Sequence, residues 1–212
     1  MPIRVYDYRV DLQNLIVRPE GRARFRRVEP GPVPAMHSHD LGGETFLVME
    51  GRIEFHVETE HVTCEAGQLI YVPPRTKHAV RAVGDKPGAI FLSVTPHVEP
   101  THTLYDDSGS CLPPRYGVWR EAGGGEPESP ATPSDLVEQY RVAAERLLDL
   151  AIANLQVIRS DGPRAAELLE SNAQADAKQT IDTLWDALYP VLHQVRTLER
   201  TWNDLAPRAM PR

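Results

Sequence analysis

Two histidines one residue apart constrain the fold of this 212-residue chain more than any other sequence feature. His37 and His39 are followed by Glu44, and a third histidine, His78, lies in a separate segment. Because alternate side chains of an extended strand point to the same side, His37 and His39 are predicted to share one face. For His78 to join them, strands that are distant in the sequence must lie side by side.

The four side chains together supply donor atoms of the kind that bind a metal ion. Three imidazoles and one carboxylate form a mixed nitrogen and oxygen set, which suits a divalent transition metal ion. Buried together without a cation, the four groups would be costly to desolvate. An ion that accepts about six donors would keep up to two positions for water, dioxygen or a bidentate substrate.

The first part of the chain has the pattern of a β protein. About eight short strands are predicted between turn residues, over residues 4–10, 22–28, 33–39, 44–50, 52–58, 68–72, 77–83 and 89–94. The clearest is 52–58, where Ile53, Phe55 and Val57 alternate with polar residues. Strands at this spacing are typical of a sandwich or barrel.

The composition then changes twice. Residues 96–120 have few periodic runs and are predicted to form an ordered loop over the barrel. The Gly, Pro and Ser content of residues 121–133 indicates a linker, and a period of 3.6 residues follows. The predicted domains are a β-barrel with its covering loop (1–120), the linker (121–133) and an α-helical hairpin or bundle (134–206).

The helical region carries its own start and stop signals. Thr132 or Ser134 could cap the first helix, with Glu138 as a reciprocal partner. A break is predicted before Pro163, which would start the next helix, and Pro190 should kink or split the last one. Apolar stripes along these helices should pack on each other, and then on the barrel or on a second subunit.

Glycines frame the first histidine segment. The segment reads Gly31, His37, His39, Glu44 and Gly51 at fixed spacing. In residue type and spacing they resemble the first motif of the cupin superfamily.

A second segment extends this resemblance over about residues 20–96. Gly67, Pro73 and His78 resemble the second cupin motif. Arg75 stands where that motif usually has Gly, and Ala82 stands where it usually has Asn. Neither position is a metal ligand in the family pattern, so the departures affect a turn and the polarity of the pocket.

The resemblance implies a mainly β fold, a double-stranded β-helix (jelly-roll) barrel, with a metal ion inside. By the same resemblance the ligands are His37, His39, Glu44 and His78. The cofactor is then one divalent transition metal ion, with Fe, Mn, Ni, Cu, Co and Zn all open. The helical extension lies outside the resemblance.

Further residues are candidates for lining a substrate pocket. They are Phe25, Phe46, Tyr71, Val80, Phe91, His97 and His102. The aromatic members suit a core position equally well. His97 and His102 follow the last predicted barrel strand and could overhang its mouth, although a role in loop structure is the alternative.

Two other groups are predicted to be solvated. His56 and His61 flank the tip of a hairpin and point outward by alternation. Arg22, Arg24, Arg26 and Arg27 could steer an acidic substrate, but a charged outer strand face is the simpler interpretation.

Charge and composition bear on partners and location. A net charge of −7 argues against nucleic acid, and no apolar run is long enough for a membrane span. The N-terminus lacks the apolar core of a signal peptide, so a cytoplasmic protein with free thiols at Cys64 and Cys111 is expected. A small-molecule ligand or substrate and a homodimer are the expected partners.

Two functions remain open. The first is a metal-dependent enzyme acting on a small organic molecule, with dioxygenase chemistry favoured and isomerase or lyase chemistry as alternatives. No Ser–His–Asp, Cys–His or paired-carboxylate signature supplies a general base. The second is a non-catalytic metal- or metabolite-binding or sensing module whose helical tail mediates protein interaction.

Overall fold

The computed structural model describes residues 3–124 and 129–210. They divide into two compact units, Met1–Ser129 with Ala206–Arg212, and Pro130–Leu205. The first unit contains all the strands of the described residues and the second consists of helices. The predicted fold class, a β-barrel followed by an α-helical extension, is confirmed. Part of the predicted linker, residues 125–128, lies outside the described residues.

Ten strands make up the β unit within the described part of the chain. They are β1 (Asn14–Arg18), β2 (Gly21–Val28), β3 (His37–Ser38), β4 (Gly43–Glu50), β5 (Arg52–Val57), β6 (Glu60–Glu65), β7 (Leu69–Val72), β8 (His78–Ala82), β9 (Gly88–Thr95) and β10 (Thr103–Leu104). One sheet has the order β1-β2-β9-β4-β7 and the other β10-β3-β8-β5-β6. All neighbouring strands within these sheets are antiparallel.

Side chains from both sheets form one buried apolar core. Phe46 of β4 packs against Phe55 of β5 with ring centroids 5.2 Å apart, and Ile53 and Ile90 are fully buried beside them. Each such side chain stabilises the fold by about 1.5–3 kcal/mol through removal from water. The alternation predicted for residues 52–58 holds, because Ile53 and Phe55 face this core while Arg52 is exposed.

Two strand predictions need correction, and β1, β6 and β10 were not predicted. Residues 4–10 form no strand, because Asp7 organises a turn in which its backbone carbonyl accepts from Val10 and its carboxylate accepts from Arg9. The strand at this end is β1, which the sequence pattern did not reveal. The predicted strand 33–39 is reduced to His37–Ser38, which still pairs with β8 and β10.

The helical unit is a hairpin of α1 (Pro133–Glu170) and α2 (Gln174–Leu205). The ring of Tyr140 near the start of α1 contacts Trp202 near the end of α2, so the two helices run antiparallel. Of the two predicted candidates, Thr132 rather than Ser134 caps α1, and its reciprocal partner is Asp135 rather than Glu138. Glu138 instead accepts a hydrogen bond from Arg141.

Neither proline divides the helical region where predicted. Helix α1 continues through Pro163, and α2 is one helix that contains Pro190. Each proline removes one backbone hydrogen bond, whereas packing along the whole hairpin holds both helices together. The actual break is at residues 171–173, where Asn172 adopts a left-handed conformation with φ of 58°.

No helix in the described ranges is both long and apolar enough to span a bilayer.

Candidate metal centre and cavity

The barrel brings the four predicted metal ligands together. His37 of β3 lies directly opposite His78 of β8 in the register, and Glu44 comes from β4 in the other sheet. One donor atom from each of His37, His39, Glu44 and His78 lies within 4.8 Å of all the others. His39, Glu44 and His78 are buried and His37 is half-buried, so the group sits in the wall of the barrel interior.

Backbone carbonyls fix the orientation of two of the imidazoles. Nδ1 of His78 donates to the carbonyl oxygen of Thr76 at 2.9 Å, and Nδ1 of His39 donates to the carbonyl oxygen of Thr101. A carbonyl can only accept, so both Nδ1 atoms carry hydrogen. Outer contacts of this kind typically orient histidines that bind a metal through Nε2.

The donor set fits a divalent cation. Nε2 of His39 and Nε2 of His78 lie 2.9 and 2.8 Å from the same carboxylate atom, Oε2 of Glu44. If both imidazoles are neutral, their Nε2 lone pairs face a carboxylate oxygen, and only a cation or added protons can satisfy this arrangement. The group could therefore hold the predicted divalent transition metal ion.

The pKa values follow from the same contacts. Burial raises the pKa of the Glu44 carboxyl, but the hydrogen bonds with His39 and His78 outweigh this effect and hold the pKa well below its usual range. Burial lowers the pKa of His78, and its hydrogen bond with Glu44 reverses the shift, so the pKa is raised. Burial, followed by the neighbouring His78, lowers the pKa of His37 to about 3.

A cavity of about 230 Å³ opens beside the four ligands. It is lined by Arg22, Arg24, Arg26, His37, Glu44, Phe46, His78, Val80, Leu92, His102, Val118, Trp119, Glu121 and Ala122. Three of the predicted pocket residues, Phe46, Val80 and His102, are among them. The ring of His102 lies 4.9 Å from that of His37 between centroids, and burial lowers the pKa of His102 to about 2.

The other predicted pocket residues lie elsewhere. Phe25 and Phe91 are cross-strand partners that contact each other on the outer face of their sheet, and Tyr71 is 56% exposed. Strand alternation explains the difference, because Phe46 faces inward and these three residues face the other way. His97 is buried outside the cavity, with its ring 6.2 Å from that of Trp119.

The interpretation of the arginines as an outer strand face is wrong for three of the four. Arg22, Arg24 and Arg26 line the cavity, while only Arg27 is exposed. Arginine at alternate positions was the available signal, but it cannot show which face of β2 is the interior. His56, also expected to be solvated, is partly buried and pairs with Glu54 at 2.7 Å.

A short 3₁₀ helix, Val118–Ala122, lies at the cavity and was also not predicted. Asn14, which is buried, donates from Nδ2 to the carbonyl oxygens of Trp119 and Gly123, each at 2.8 Å. Glu99 accepts from the backbone N–H of Gly117 at 3.1 Å. These contacts tie the segment to the barrel, which fits the predicted ordered covering loop.

Comparison with known proteins agrees with the motif. The family model for the cupin domain matches residues 24–95. An uncharacterised protein of Methanocaldococcus jannaschii is 30% identical over 69 residues, which is 32% of this chain and 55% of that protein. The chain thus spans about half the length of this curated relative.

Solved structures with similar folds include proteins from two bacteria. A protein with a double-stranded β-helix domain from Klebsiella pneumoniae is 18% identical, with a TM-score of 0.45, over 50% of this chain and 100% of that one. A cupin-2 domain protein from Shewanella frigidimarina is 21% identical, with a TM-score of 0.35, over 40% and 78%. The family match covers the strands that carry Glu44 and His78, both histidine motifs and most of the cavity wall. Residues 24–95 are a cupin domain.

Proposed function

We propose that the protein is a metal-dependent enzyme that acts on a small organic molecule, with dioxygenase-type chemistry favoured. One observation carries the proposal. The group of His37, His39, Glu44 and His78 is not sealed in the core, because three of its members also line the cavity. A structural metal site is normally closed, whereas a catalytic one keeps positions open to substrate.

The chemistry of the cavity wall supports oxygen-dependent reactions over acid–base reactions. Apart from Glu44, the cavity contains one carboxylate among the described residues, Glu121, which is exposed and paired with Arg115 at 3.3 Å. His102 is a poor proton acceptor near neutral pH, since its pKa is lowered to about 2. A bound redox metal would supply electrons for oxygen chemistry and a place for substrate beside it.

The chain's own residues have separate parts in such a reaction. Thr76 and Thr101 hold the imidazoles of His78 and His39 in place through their carbonyl oxygens. Neutral His102 can hydrogen-bond a substrate, since Nδ1 pairs with Oγ1 of Thr101 at 2.9 Å and leaves Nε2 for another partner. Trp119 lines the cavity, where its ring would shield a bound substrate from water.

Elemental analysis tests the metal and its class. The full chain is purified without chelator or a metal-binding tag, alongside His37→Ala, and both are measured by mass spectrometry. About one Fe, Mn, Ni, Cu or Co per wild-type chain, lost in the variant, is the expected result. Zn alone would favour isomerase or lyase chemistry, and no metal in either sample after reconstitution would contradict the proposal.

A second function is favoured by a different observation. Both helices of the hairpin carry exposed apolar side chains, among them Ile152 on α1 and Trp185 on α2. A metal or metabolite sensor whose helical tail binds a protein would need such a surface. Hydrogen exchange of α2 with and without the metal separates the functions, because only a sensor requires the metal to change protection there.

A further inference from the structure

Three arginines project from one strand into the cavity that adjoins the metal centre. Arg22, Arg24 and Arg26 alternate along β2, so their side chains share one face. In the register Arg22 lies opposite Val94 of β9, which in turn lies opposite Glu44 of β4. Cross-strand partners point to the same side of a sheet, so the arginines and Glu44 face the same interior.

The next arginine repeats this arrangement. Arg24 is aligned through Leu92 with Phe46, and all three residues line the cavity. The three guanidinium groups thus form a row on one cavity wall, hereafter the arginine row (Arg22, Arg24 and Arg26). Residues of the same face lie about 6.6–6.8 Å apart along a strand, so the row can contact a small molecule at several points.

Arg22 of the row is buried, and Arg24 and Arg26 are half-buried. Arg22 is only 2% exposed, and Nε of Arg22 and Nε of Arg24 are buried with no hydrogen-bond partner. Within residues 3–124 and 129–210, no side chain forms an ion pair or hydrogen bond with any of the three guanidinium groups. A buried cation without a partner is costly, which is acceptable where an incoming anion completes the site.

Nearby carboxylates do not remove this excess of positive charge. Glu44 interacts electrostatically with the row, but its Oε2 is hydrogen-bonded to two imidazoles. The buried Glu99 also attracts Arg22, and its carboxylate accepts a hydrogen bond from the backbone N–H of Gly117. Glu121, exposed at the cavity, is paired with Arg115. A divalent ion at the histidines would add further positive charge to the same space.

We propose that the arginine row binds the anionic group, a carboxylate or phosphate, of a small substrate whose reacting end lies at the metal centre. Arginine donates paired hydrogen bonds to both kinds of anion. The cavity of about 230 Å³ is small beside ligand pockets of about 300–1,000 Å³, so the ligand has few heavy atoms. This assignment of the substrate class rests on the proposed enzyme function.

Calorimetric titration of the full chain tests the row directly. Malonate, inorganic phosphate and neutral malonamide are titrated at constant ionic strength into metal-loaded and chelator-treated protein. The expected result is binding of malonate or phosphate to both forms, with no binding of malonamide. Tighter binding of malonate would identify the anionic group of the substrate as a carboxylate, and tighter binding of phosphate would identify it as a phosphate.

Variants on one strand provide the control. Arg24→Met and Arg26→Met should each weaken anion binding by about tenfold or more, since hydrogen bonds to charged groups are strong. Arg27→Met should leave binding unchanged, because Arg27 is exposed on the opposite face. Circular dichroism establishes that each variant is folded.

The outcomes distinguish a failure of this inference from a failure of the proposed enzyme function. Anion binding by chelator-treated protein that Arg24→Met weakens supports the row even if no metal is ever found. The inference is overturned if neither anion binds, if malonamide binds equally well, or if Arg24→Met and Arg26→Met bind as wild type. Anion binding only to metal-loaded protein would assign the anion to the metal ion and would also overturn it.

Discussion

The two units of this chain depart from the usual distribution of polar and apolar residues in opposite ways. The barrel buries charge, with Arg22 and Glu44 inside it. The helical hairpin exposes apolar surface, with Trp185 52% exposed and Leu148 and Leu192 also on the surface. Buried charge and exposed apolar side chains are the informative exceptions in a folded protein.

The difference indicates two kinds of missing partner. A charged interior is stabilised by small ions and polar ligands that can enter it, which is why the barrel is the place to expect chemistry. An apolar exterior is stabilised by another apolar surface, which is why the hairpin is the place to expect a protein. Each of the following experiments tests either the buried charge of the barrel or the exposed apolar surface of the hairpin.

The largest effect is expected at the metal centre. His78→Ala removes one predicted metal ligand and one of the two imidazoles hydrogen-bonded to Oε2 of Glu44. Changes even to outer contacts of metal sites cost about 10–100-fold in affinity, so we expect at least a 100-fold loss here. Elemental analysis after dialysis measures it.

His61→Ala is the matched control for this variant. His61 is an exposed histidine on β6 of the same sheet as His78 and lies outside the ligand group. It should retain the wild-type metal content. A His78→Ala protein that keeps its metal, or a control that loses it equally, would contradict the prediction that the buried groups of the barrel hold the metal ion.

The next effect concerns the hairpin, whose exposed face we expect to form a homodimer. Ile181, Trp185, Leu188 and Leu192 recur at helical spacing on α2 and are all exposed. Trp185→Lys would bury an unpaired ammonium group in a dimer, at a cost of several kcal/mol, and should weaken association by about 100-fold or more.

Light scattering of the full chain measures this change. Wild type should have twice the 23.7 kDa mass of one chain and Trp185→Lys should have that mass. Asp186→Asn, at the neighbouring exposed position, should remain dimeric. A monomeric wild type at the same concentration would show that the apolar face serves another partner.

The sequence predicts a feature of either unit well when nearby residues encode it, and poorly when the feature depends on contacts between distant segments. The convergence of the four candidate ligands was predictable because His37 and His39 share a face by alternation and the motif spacing places Glu44 and His78. The arginine row was not, because β2 offers arginine on one face and Ala23 and Phe25 on the other. Average burial preferences put the arginines outside, and only the pairing of β2 with β9 reverses this.

The helices show the same limit. Thr132 caps α1 through contacts with Asp135 three residues away, so the sequence places the start of the helix although it names Glu138 as the partner. Pro163 is a strong local stop signal, yet α1 continues through it because α2 packs along the helix. Tertiary packing outweighs a single lost backbone hydrogen bond, and nothing local to Pro163 records that packing.

A smaller effect is expected when buried charge is removed from the cavity. Burial, with repulsion from Arg22 and Arg26, lowers the pKa of Arg24 to about 10, so its positive charge destabilises the folded metal-free, ligand-free protein. Arg24→Met should therefore stabilise that form by about 1–4 kcal/mol. For a chain of this size each kcal/mol raises Tm by about 2–4 °C.

Calorimetric melting of the metal-free protein tests this stabilisation. Arg27→Met, at the exposed neighbouring position, should change the free energy of unfolding by no more than about 0.5 kcal/mol. If Arg24→Met lowers Tm while Arg27→Met does not, Arg24 has an internal partner in the folded chain. The barrel would then bury satisfied charge, and its contrast with the hairpin would weaken.

The last effect concerns His97, a buried base that is not itself a predicted ligand. Burial, followed by the charge of Arg22, lowers the pKa of His97 from 6.5 to about 3. Between these values the unfolded chain protonates His97 and the folded protein does not, so acid favours unfolding. The contribution of His97 to the free energy of unfolding is fully present above pH 6.5 and is lost as the pH falls towards about 3, by at most about 1.4 kcal/mol per pH unit.

Urea unfolding of metal-free protein at several pH values between 7 and 4 measures this slope. His97→Gln should make the free energy of unfolding less dependent on pH, by up to about 1.4 kcal/mol per unit, whatever its effect at pH 7. His193→Gln, an exposed histidine on α2, should keep the wild-type slope. An unchanged slope in His97→Gln would mean that the folded barrel accepts a proton at His97, and that its interior tolerates more positive charge than the unpaired arginine row implies.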